Sequence, residues 1–376
     1  MDKHIWSWTP IPSLPLLGSV LCGLALIQYP REGFASIRPI YEDLFDMGSG
    51  GASLTRATQA GMLFSNPALI PYGPGFHRWF GNETSLMVGK DSVDFMRSLQ
   101  KGSGSSESSN NSEFVDKVLK TPIHVGLSNN LSYINRFMGF SIFSRNSFDI
   151  AAKKYGETGL PAVRLRAENY QGVTVSAASM VLNRAVSIGV TAKYLAASEP
   201  DLAIELTDSE AIQALQTPAG LRSLLSPNSG FGYDLGLLLF KQGYNSDFRF
   251  AAKIDDVGGT KLTGDGSLRS LQQTVHYGMG YTLHTGDDAI HLSLDYRDAS
   301  KVYDVEEFRR VRVGAKLILR QHVALGVGYY DGWPSYGVEL DAWLFRITAA
   351  VYTREYGIKP GLDPRPVYAL GFTMGI

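Results

Sequence analysis

Large apolar residues alternate with small or polar residues along most of the chain, and this period of two constrains the fold more than any other feature. In the segment 368–376 every even position is large and apolar, while every odd position is Ala, Gly or Thr. Successive side chains of a β-strand point to opposite faces, so the pattern predicts a strand with one apolar face. Further segments repeat it, at 186–194, 231–239, 275–284, 290–297, 311–319, 323–329 and 343–354. A tilted strand of about ten residues can cross a bilayer, so the repetition predicts an all-β, membrane-spanning antiparallel β-barrel.

The connecting segments support a barrel independently, because long and short connections alternate. We predict about 14 strands, at residues 84–97, 122–132, 136–152, 162–183, 185–197, 229–240, 246–256, 270–284, 288–299, 307–319, 321–331, 334–342, 344–355 and 366–376. In outer-membrane barrels one rim carries short periplasmic turns and the other carries longer extracellular loops. An even number of strands places both ends of the barrel at the periplasmic rim. The connection near 331–334 is an exception, because it is short where a long loop is expected.

A soluble β-sandwich or solenoid is the alternative fold, since soluble strands alternate as well. Such domains lack the regular parity of loop lengths, which favours the barrel. Gly and charged residues interrupt every apolar run after residue 30, so we predict no transmembrane helix, and a membrane protein without one must close into a barrel.

Composition and motifs narrow the function. The net charge is −1, with 35 basic and 36 acidic residues, so nothing favours nucleic-acid binding. No phosphate loop, nucleophile elbow or His-Glu-x-x-His motif occurs in the sequence. We therefore predict no enzymatic activity, no catalytic residues and no cofactor.

Residues 1–35 are typical of an export signal. Lys3 precedes a charge-free stretch whose apolar core covers 14–27, and a small-x-small site that suits cleavage ends at Ala35. A retained membrane anchor is the alternative, but the apolar run is short and contains Pro15. Cys22, the single cysteine, would leave with the signal, so we expect no disulfide and no cysteine metal site.

The segment 36–83 lacks the period of two and differs from the rest of the chain. Glycines near its start can adopt backbone conformations that other residues rarely adopt, and they allow the backbone to approach a neighbouring wall closely. An Asn-Pro-Ala turn follows, in which proline fixes the chain and asparagine can bond its own backbone. We predict that this segment folds into the lumen of the barrel, residues 84–376, as a hatch. The expected hatch residues are Gly48, Gly50, Gly51, Asn66, Pro67 and Ala68.

The glycine cluster at 47–52 and the turn at 66–68 resemble the amino-terminal hatch of the long-chain fatty-acid transporter superfamily (FadL-type barrels). Barrel segments 188–194, 232–236 and 355–361 also resemble its TraF-like and PorV-like branches. The resemblance implies a fourteen-stranded, hatch-closed barrel in a bacterial outer membrane, in contact with the lipid bilayer and lipopolysaccharide. It also implies uptake of hydrophobic small molecules such as long-chain fatty acids.

The resemblance to the TraF-like and PorV-like branches leaves a second function open. In it the barrel transports nothing and acts in assembly, secretion or partner binding, with a periplasmic or surface protein as its partner. A lateral opening or a kinked strand beside the hatch would favour transport. Gly172 is the best candidate for a kink, although a small residue that makes room for the hatch is an equally good interpretation. A sealed lumen with an exposed apolar rim patch would favour a partner.

The long loop 198–228 offers a candidate ligand groove. Thr207 and Glu210 form a capping box for a short helix, and apolar residues follow it. The expected ligand-binding residues are Ile212, Leu215, Leu221, Leu224 and Leu225. The alternative is that these side chains only pack the loop against the rim.

Many charged residues fall on the predicted lumen face. The expected lumen-lining residues are Arg310, Arg312, Lys316 and Arg346. Buried charges must be paired or hydrated, so we favour an interior of ion pairs that locks the hatch through Glu42, Asp43 and Asp46. A hydrated surface selective for anions is the alternative.

Three histidines, His276, His284 and His291, fall near one turn on the predicted lumen face. They would suit a metal pair or a general base. Histidines of a polar barrel wall are more often simply hydrogen-bonded, and we predict no metal site.

Overall fold

The computed structural model describes residues 39–73, 79–92, 122–153, 162–182, 184–205, 226–266 and 268–375. The predicted signal segment and the predicted ligand residues Ile212, Leu215, Leu221, Leu224 and Leu225 lie outside this part of the chain. The strands are β1 (Trp79–Gly89), β2 (Ile123–Ile134), β3 (Met138–Lys153), β4 (Ala162–Val181), β5 (Val186–Ser198), β6 (Asp201–Glu205), β7 (Asn228–Gln242), β8 (Ser246–Asp255), β9 (Thr260–Lys261), β10 (Ser270–Leu271), β11 (Thr274–Thr285), β12 (Asp288–Tyr296), β13 (Val311–Leu319), β14 (Val323–Tyr330), β15 (Trp333–Asp341), β16 (Phe345–Glu355) and β17 (Pro364–Gly375).

Fourteen of these strands form one closed antiparallel barrel, so the predicted fold class is confirmed. The three short strands stand outside the ring: β6 extends the pairing of β4, while β9 and β10 form a small hairpin. The ring closes where β1 pairs with β17, from Gly81 opposite Gly375 to Gly89 opposite Val367. Within the described residues, no helix has the length and apolar character needed to cross a membrane.

Connections of two different lengths define two rims. The short-turn rim carries the turns 135–137, 182–185, 243–245, 286–287, 320–322 and 342–344. The strand ends at the other rim, the long-loop rim, are joined through the long connections 90–122, 154–161, 199–227, 256–273, 297–310 and 356–363 and through one tight turn. That tight turn is the predicted exception: Asp331 and Gly332 both have positive φ, at 50° and 91°, which suits a two-residue hairpin loop. Asp331 is fully buried and accepts a hydrogen bond from Arg309 Nε at 2.8 Å.

The two faces of the strands differ as the alternation predicts. Outward-facing positions on β17 carry Tyr368, Leu370 and Phe372, all exposed, while the inward-facing Val367 and Ala369 are buried. An apolar outer face suits lipid, and the polar inner face encloses a lumen that side chains and the hatch fill.

The bounds of β1 differ from the prediction. The strand begins at Trp79 and ends at Gly89, whereas the prediction placed it at 84–97. Its outward positions include the polar Asn82 and Thr84, so the apolar alternation that marks most of the strands is weak here. The pattern alone therefore placed the strand too late in the chain.

The described part of the hatch, residues 39–73, lies inside the barrel and contains three short helical segments. These are α1 (Leu44–Gly48), α2 (Met62–Ser65) and a 3₁₀ helix (Pro67–Tyr72); a further helix, α3 (Glu307–Arg310), belongs to the long-loop rim. Helix α1 packs against β14, β15 and β16, and the 3₁₀ helix packs against β4, β5 and β7. The hatch thus contacts opposite sides of the wall.

Candidate functional site

The glycine cluster of the hatch lies directly against the backbone of the wall. Gly50 has a φ of +94°, and a Cβ atom there would lie 1.9 Å from the carbonyl oxygen of Val313. Gly48 is similarly close to β15, since its Cβ would lie 2.8 Å from the carbonyl oxygen of Tyr336. Gly51, with a φ of +68°, faces the Tyr330 ring. Gly50 and Gly51 therefore require glycine for both conformation and space, and Gly48 requires it for space.

The Asn-Pro-Ala turn docks on the opposite side of the lumen. Asn66 is fully buried, and its Nδ2 donates to the carbonyl oxygens of Leu54 at 3.0 Å and Leu237 at 3.3 Å. Its Oδ1 accepts from the Ala68 N–H at 3.0 Å, which caps the 3₁₀ helix that Pro67 begins. One side chain therefore joins two parts of the hatch and β7.

Glycines of the barrel wall make room for the hatch and form its seat. The sequence shows them only as small residues in the alternating pattern of the strands. A Cβ at Gly236 would lie 2.1 Å from Asn66 Oδ1, and one at Gly189 would lie 2.5 Å from the Ala68 nitrogen. Other lumen-facing wall glycines meet the hatch in the same way: Gly278, Gly280, Gly314, Gly326, Gly328 and Gly337. Glycines at alternate positions of neighbouring strands are the signal that would have located this seat.

Two buried ion pairs join the hatch to β13. Arg312 donates to Glu42, which also accepts from the Tyr330 hydroxyl, and the Arg312 guanidinium lies 4.6 Å from the centre of the Tyr330 ring. Lys316 donates to Asp46. These contacts are those of the interior that we favoured from the sequence, in which ion pairs lock the hatch.

Asp43 caps a helix, whereas the sequence suggested that it forms an ion pair with the wall. Its Oδ1 accepts from the N–H groups of Phe45 at 2.9 Å and Asp46 at 3.1 Å, so the carboxylate caps the N-terminus of α1. The sequence suggested an ion pair because it could not show where the helix begins.

The remaining predicted lumen residues are divided between the two rims. Arg346 binds Asp341 at 2.8 Å and donates to Gln59 of the hatch at 2.9 Å. Arg310 lies at the long-loop rim, where it pairs with Asp298 and donates to the carbonyl oxygen of Tyr303 at 2.6 Å. Arg346 thus holds the hatch near the short-turn rim, whereas Arg310 holds an outer loop.

The two hatch carboxylates respond to their surroundings in opposite ways. Burial favours the neutral form of Glu42, but the Arg312 and Arg145 charges and the Tyr330 hydrogen bond outweigh it and lower the pKa to about 2. Burial dominates at Asp46 and raises its pKa to about 6, although Lys316 opposes the shift. The Glu42 carboxylate therefore stabilises the fold most at pH values above its ordinary pKa of about 4.5.

We expect Glu42→Gln to destabilise the protein near neutral pH. The lowered pKa of Glu42 contributes stability that is fully present above about pH 4.5 and is lost as the pH falls toward 2. The free energy of unfolding of wild type should therefore exceed that of the variant by roughly 3 kcal/mol at pH 7. Urea unfolding in detergent at several pH values measures the difference, and Glu306→Gln at the exposed rim is the matched control. A pH-independent difference would contradict the assignment.

The three histidines do not form one site. His276 lies near the long-loop rim, where Nε2 lies 2.9 Å from Asp255 and Nδ1 accepts from the Asp298 N–H at 3.0 Å. His291 bonds to Thr282 at 2.9 Å, and the half-exposed His284 lies 3.2 Å from Asp247. Among the described residues, no group of three or more His, Cys, Asp or Glu could hold a metal ion.

No break in strand pairing marks Gly172, the position that was the candidate for a kink. The ladders on both sides of β4 run through it without a break, with Phe143 and Leu195 opposite. A Cβ there would lie 2.4 Å from the carbonyl oxygen of Tyr194, so the glycine permits a close approach of two wall strands. The wall is continuous at this position.

A cavity of about 570 Å³ opens at the short-turn rim, where the hatch leaves the lumen. Its lining includes the end of the 3₁₀ helix, and Tyr72 donates to the Arg184 carbonyl oxygen at 2.7 Å. The lining residues are Pro71, Tyr72, Gly73, Arg136, Met180, Arg184, Ala185, Phe240, Lys241 and Gln242. The cavity thus combines apolar surface with three positive charges, and none of these residues is acidic.

No protein-family model and no curated protein matches the chain. Among solved structures, a deltaS2S3 mutant of the monoaromatic hydrocarbon channel TodX is similar, with 12% identity, a TM-score of 0.51 and coverage of 92% of this chain and 98% of that one. The monoaromatic hydrocarbon channel CymD follows, with 11% identity, coverage of 88% and 97% and a TM-score of 0.49. The Ralstonia pickettii toluene transporter TbuX has 12% identity and a TM-score of 0.48, and the match covers 92% of this chain and 97% of that one. The likeness to TodX shows the fold, and it confirms the barrel expected from the resemblance to the FadL-type superfamily.

Proposed function

We propose that this chain is a bacterial outer-membrane channel that takes up small hydrophobic molecules, such as long-chain fatty acids, past a hatch seated in its lumen. The short-turn rim then faces the periplasm, and the apolar outer wall contacts the bilayer and lipopolysaccharide. The observation that carries the proposal is the hatch itself, whose glycines fit the wall backbone on one side while Asn66 docks on the other.

Two features agree with a hatch that acts as a gate. Apolar clusters pack the hatch against the wall, and polar contacts such as Lys316 to Asp46 and Arg346 to Gln59 hold it as well, so charged and polar groups take part in its attachment. Its exit beside Tyr72 coincides with the cavity at the short-turn rim. The similar fold of the monoaromatic hydrocarbon channel TodX agrees with a conduit for apolar compounds.

The cavity favours a ligand with an apolar body and an anionic head. Met180 and Phe240 supply apolar surface, whereas Arg136, Arg184 and Lys241 supply positive charge. Its volume lies in the range of small-molecule sites, which is about 300–1,000 Å³. A fatty-acid carboxylate released past the hatch would meet these cations at the periplasmic mouth.

We expect the cavity to prefer decanoate over decanol, and Arg184→Gln with Lys241→Gln to weaken decanoate binding about tenfold, or about 1.4 kcal/mol. Titration calorimetry on the protein in nanodiscs measures both. Arg320→Gln is the control, because Arg320 is also exposed in a short turn with positive φ. Equal affinity for the alcohol, or an unchanged affinity in the double variant, would argue against a carboxylate site.

A non-transporting barrel that binds a partner is the second candidate. Large apolar side chains are exposed on two adjoining loops of the long-loop rim, at Phe308, Ile358 and Leu362. The continuous wall at Gly172 also removes one sign of a lateral opening. Affinity purification of a tagged protein from membranes distinguishes the two, since a partner lost with Phe308→Ser and Ile358→Ser would favour this candidate.

A further inference from the structure

A row of polar side chains crosses the outer, lipid-facing wall over four neighbouring strands. The row comprises Asn82 and Thr84 on β1, Asn129 on β2, Ser144 and Asn146 on β3, and Asn169 and Gln171 on β4. The strand register makes it continuous, because Thr84 lies opposite Asn129, Asn129 opposite Ser144 and Ser144 opposite Gln171. Their chain neighbours on these strands, such as Ser85 and Asn130, are buried and face the lumen.

Apolar side chains flank the row on both sides, so it lies within the membrane belt. Phe80, Ile142 and Val175 are exposed on the side of the short-turn rim. Leu86, Leu127 and Phe148 are exposed on the side of the long-loop rim. The row is therefore not part of either interface with water.

The other ten barrel strands have no such row among the described residues. The central outward positions of β5, β7, β8 and β11 to β17 are apolar, as in Ile188, Leu235, Leu292, Val327 and Leu370. Lipid-facing positions of a membrane barrel are normally apolar, and polar groups within a membrane usually mark function. The confinement of polar residues to β1–β4 distinguishes this face from the rest of the wall.

The row is only partly satisfied by hydrogen bonds within itself. Asn129 donates to Asn82 at 3.0 Å and to Thr84 at 2.7 Å. Asn146 donates to Ser144 at 3.0 Å, and Gln171 donates weakly to Asn169 at 3.3 Å. Each amide carries two donor hydrogens and an oxygen with two lone pairs, so donors and acceptors remain on the outer surface, where lipid tails offer no partner.

We propose that the outer face of β1–β4 is the interface at which two copies of this chain dimerise in the membrane. Amides and hydroxyls are both donors and acceptors, so the row is complementary to its own copy. It carries no charge, so two copies meet without repulsion. A two-fold axis places the same patch on both subunits, which is the commonest arrangement of homo-oligomers.

The tilt of the strands determines how the two rows meet. The row follows the hydrogen-bonding direction, perpendicular to strands that tilt by about 35–45° in such barrels. Two copies inserted in the same sense are related by an axis along the membrane normal, so their inclined rows cross when they face each other. We place the axis beside the middle of the row, so that Asn129 and Ser144, which pair with each other, lie at the crossing point.

Cysteine cross-linking in native membranes tests the interface, with Cys22, the only cysteine of the sequence, replaced by Ser. Oxidation of Asn129→Cys is expected to give a covalent dimer. The control is Leu292→Cys on β12, which is 49% exposed on another part of the wall and should stay monomeric. A dimer from Leu292→Cys alone, or from neither variant, would overturn the proposal. A cross-link from Asn129→Cys to a different protein would overturn the assignment to a second copy.

Mass measurement in mild detergent tests the part played by the polar groups. Wild type should be a dimer, and the triple variant Asn129→Leu, Ser144→Val, Gln171→Leu should have a dissociation constant at least about tenfold higher. Heat-modifiable gel migration checks that the variant is folded, which an apolar lipid face should permit. A monomeric wild type, or a folded variant that dimerises as tightly as wild type, would reject the proposed interface.

Discussion

Gly50→Ala is expected to displace the hatch and open the lumen. A Cβ at this position would lie 1.9 Å from the Val313 carbonyl oxygen and 3.0 Å from the Tyr329 nitrogen. Neither backbone atom can move without breaking the β13–β14 ladder, in which Val313 and Tyr329 pair. The clash adds to the strain of a φ of +94°, and together they cost roughly 3 kcal/mol or more. The barrel wall, which has its own ladders, should remain.

Conductance in planar bilayers measures this effect. We expect a small conductance for wild type and one several times larger for Gly50→Ala, with normal heat-modifiable migration of both. Gly361→Ala is a close control, because Gly361 has a φ of +92° and nothing within 4 Å of its Cβ position. It carries the same backbone strain without the clash. Equal conductance of all three proteins would show that Gly50 does not seat the hatch.

Asn66→Asp is expected to release the second half of the hatch, although it changes a single amide to a carboxylate. The Nδ2 donor that binds the Leu54 and Leu237 carbonyl oxygens is lost, and a buried negative charge faces both oxygens instead. Removing such a partner and leaving a charge unpaired costs about 3–5 kcal/mol. The 3₁₀ cap could survive, because a carboxylate still accepts from the Ala68 N–H.

Limited proteolysis from the short-turn side reports this release. Cleavage within 62–72 should be fast in Asn66→Asp and slow in wild type. Asn135→Asp is the control, because Asn135 Oδ1 only accepts, from the N–H groups of Phe137 and Met138, both at 2.9 Å, so a carboxylate replaces it without loss. Protection of Asn66→Asp equal to that of wild type would contradict the docking contact.

The barrel was predictable because its lipid and lumen faces impose one period of apolar residues on most of its strands. Segment 368–376 follows it without exception and the strand at 311–319 follows it up to Leu317, and both are strands of the ring. β1 was harder, since its outward Asn82 and Thr84 break the pattern. These two polar residues, which caused the predicted strand to be placed too late, belong to the polar row that distinguishes one face of the barrel.

The hatch site was predictable only in part. Glycines at 48–51 pointed to a close approach, but the sequence could not name the partner strand, because seating depends on contacts between residues more than 200 positions apart. Gly236 and Gly189 looked like ordinary small positions for the same reason. The contacts of Asp43 and Arg310 could not be read from the sequence, because a charge on the lumen side can cap a helix or hold a loop as readily as it can pair with the hatch.

Uptake of radiolabelled oleate tests the central claim most directly. The host is a bacterium that lacks its own channel for fatty acids, and it produces either wild type or Lys316→Met, which leaves Asp46 unpaired in the hatch. We predict that wild type restores oleate uptake without admitting large hydrophilic antibiotics, and that Lys316→Met alters the uptake rate. Wild-type protein that is folded in the outer membrane and leaves oleate uptake at the level of the empty host would contradict a hatch-closed conduit for hydrophobic molecules.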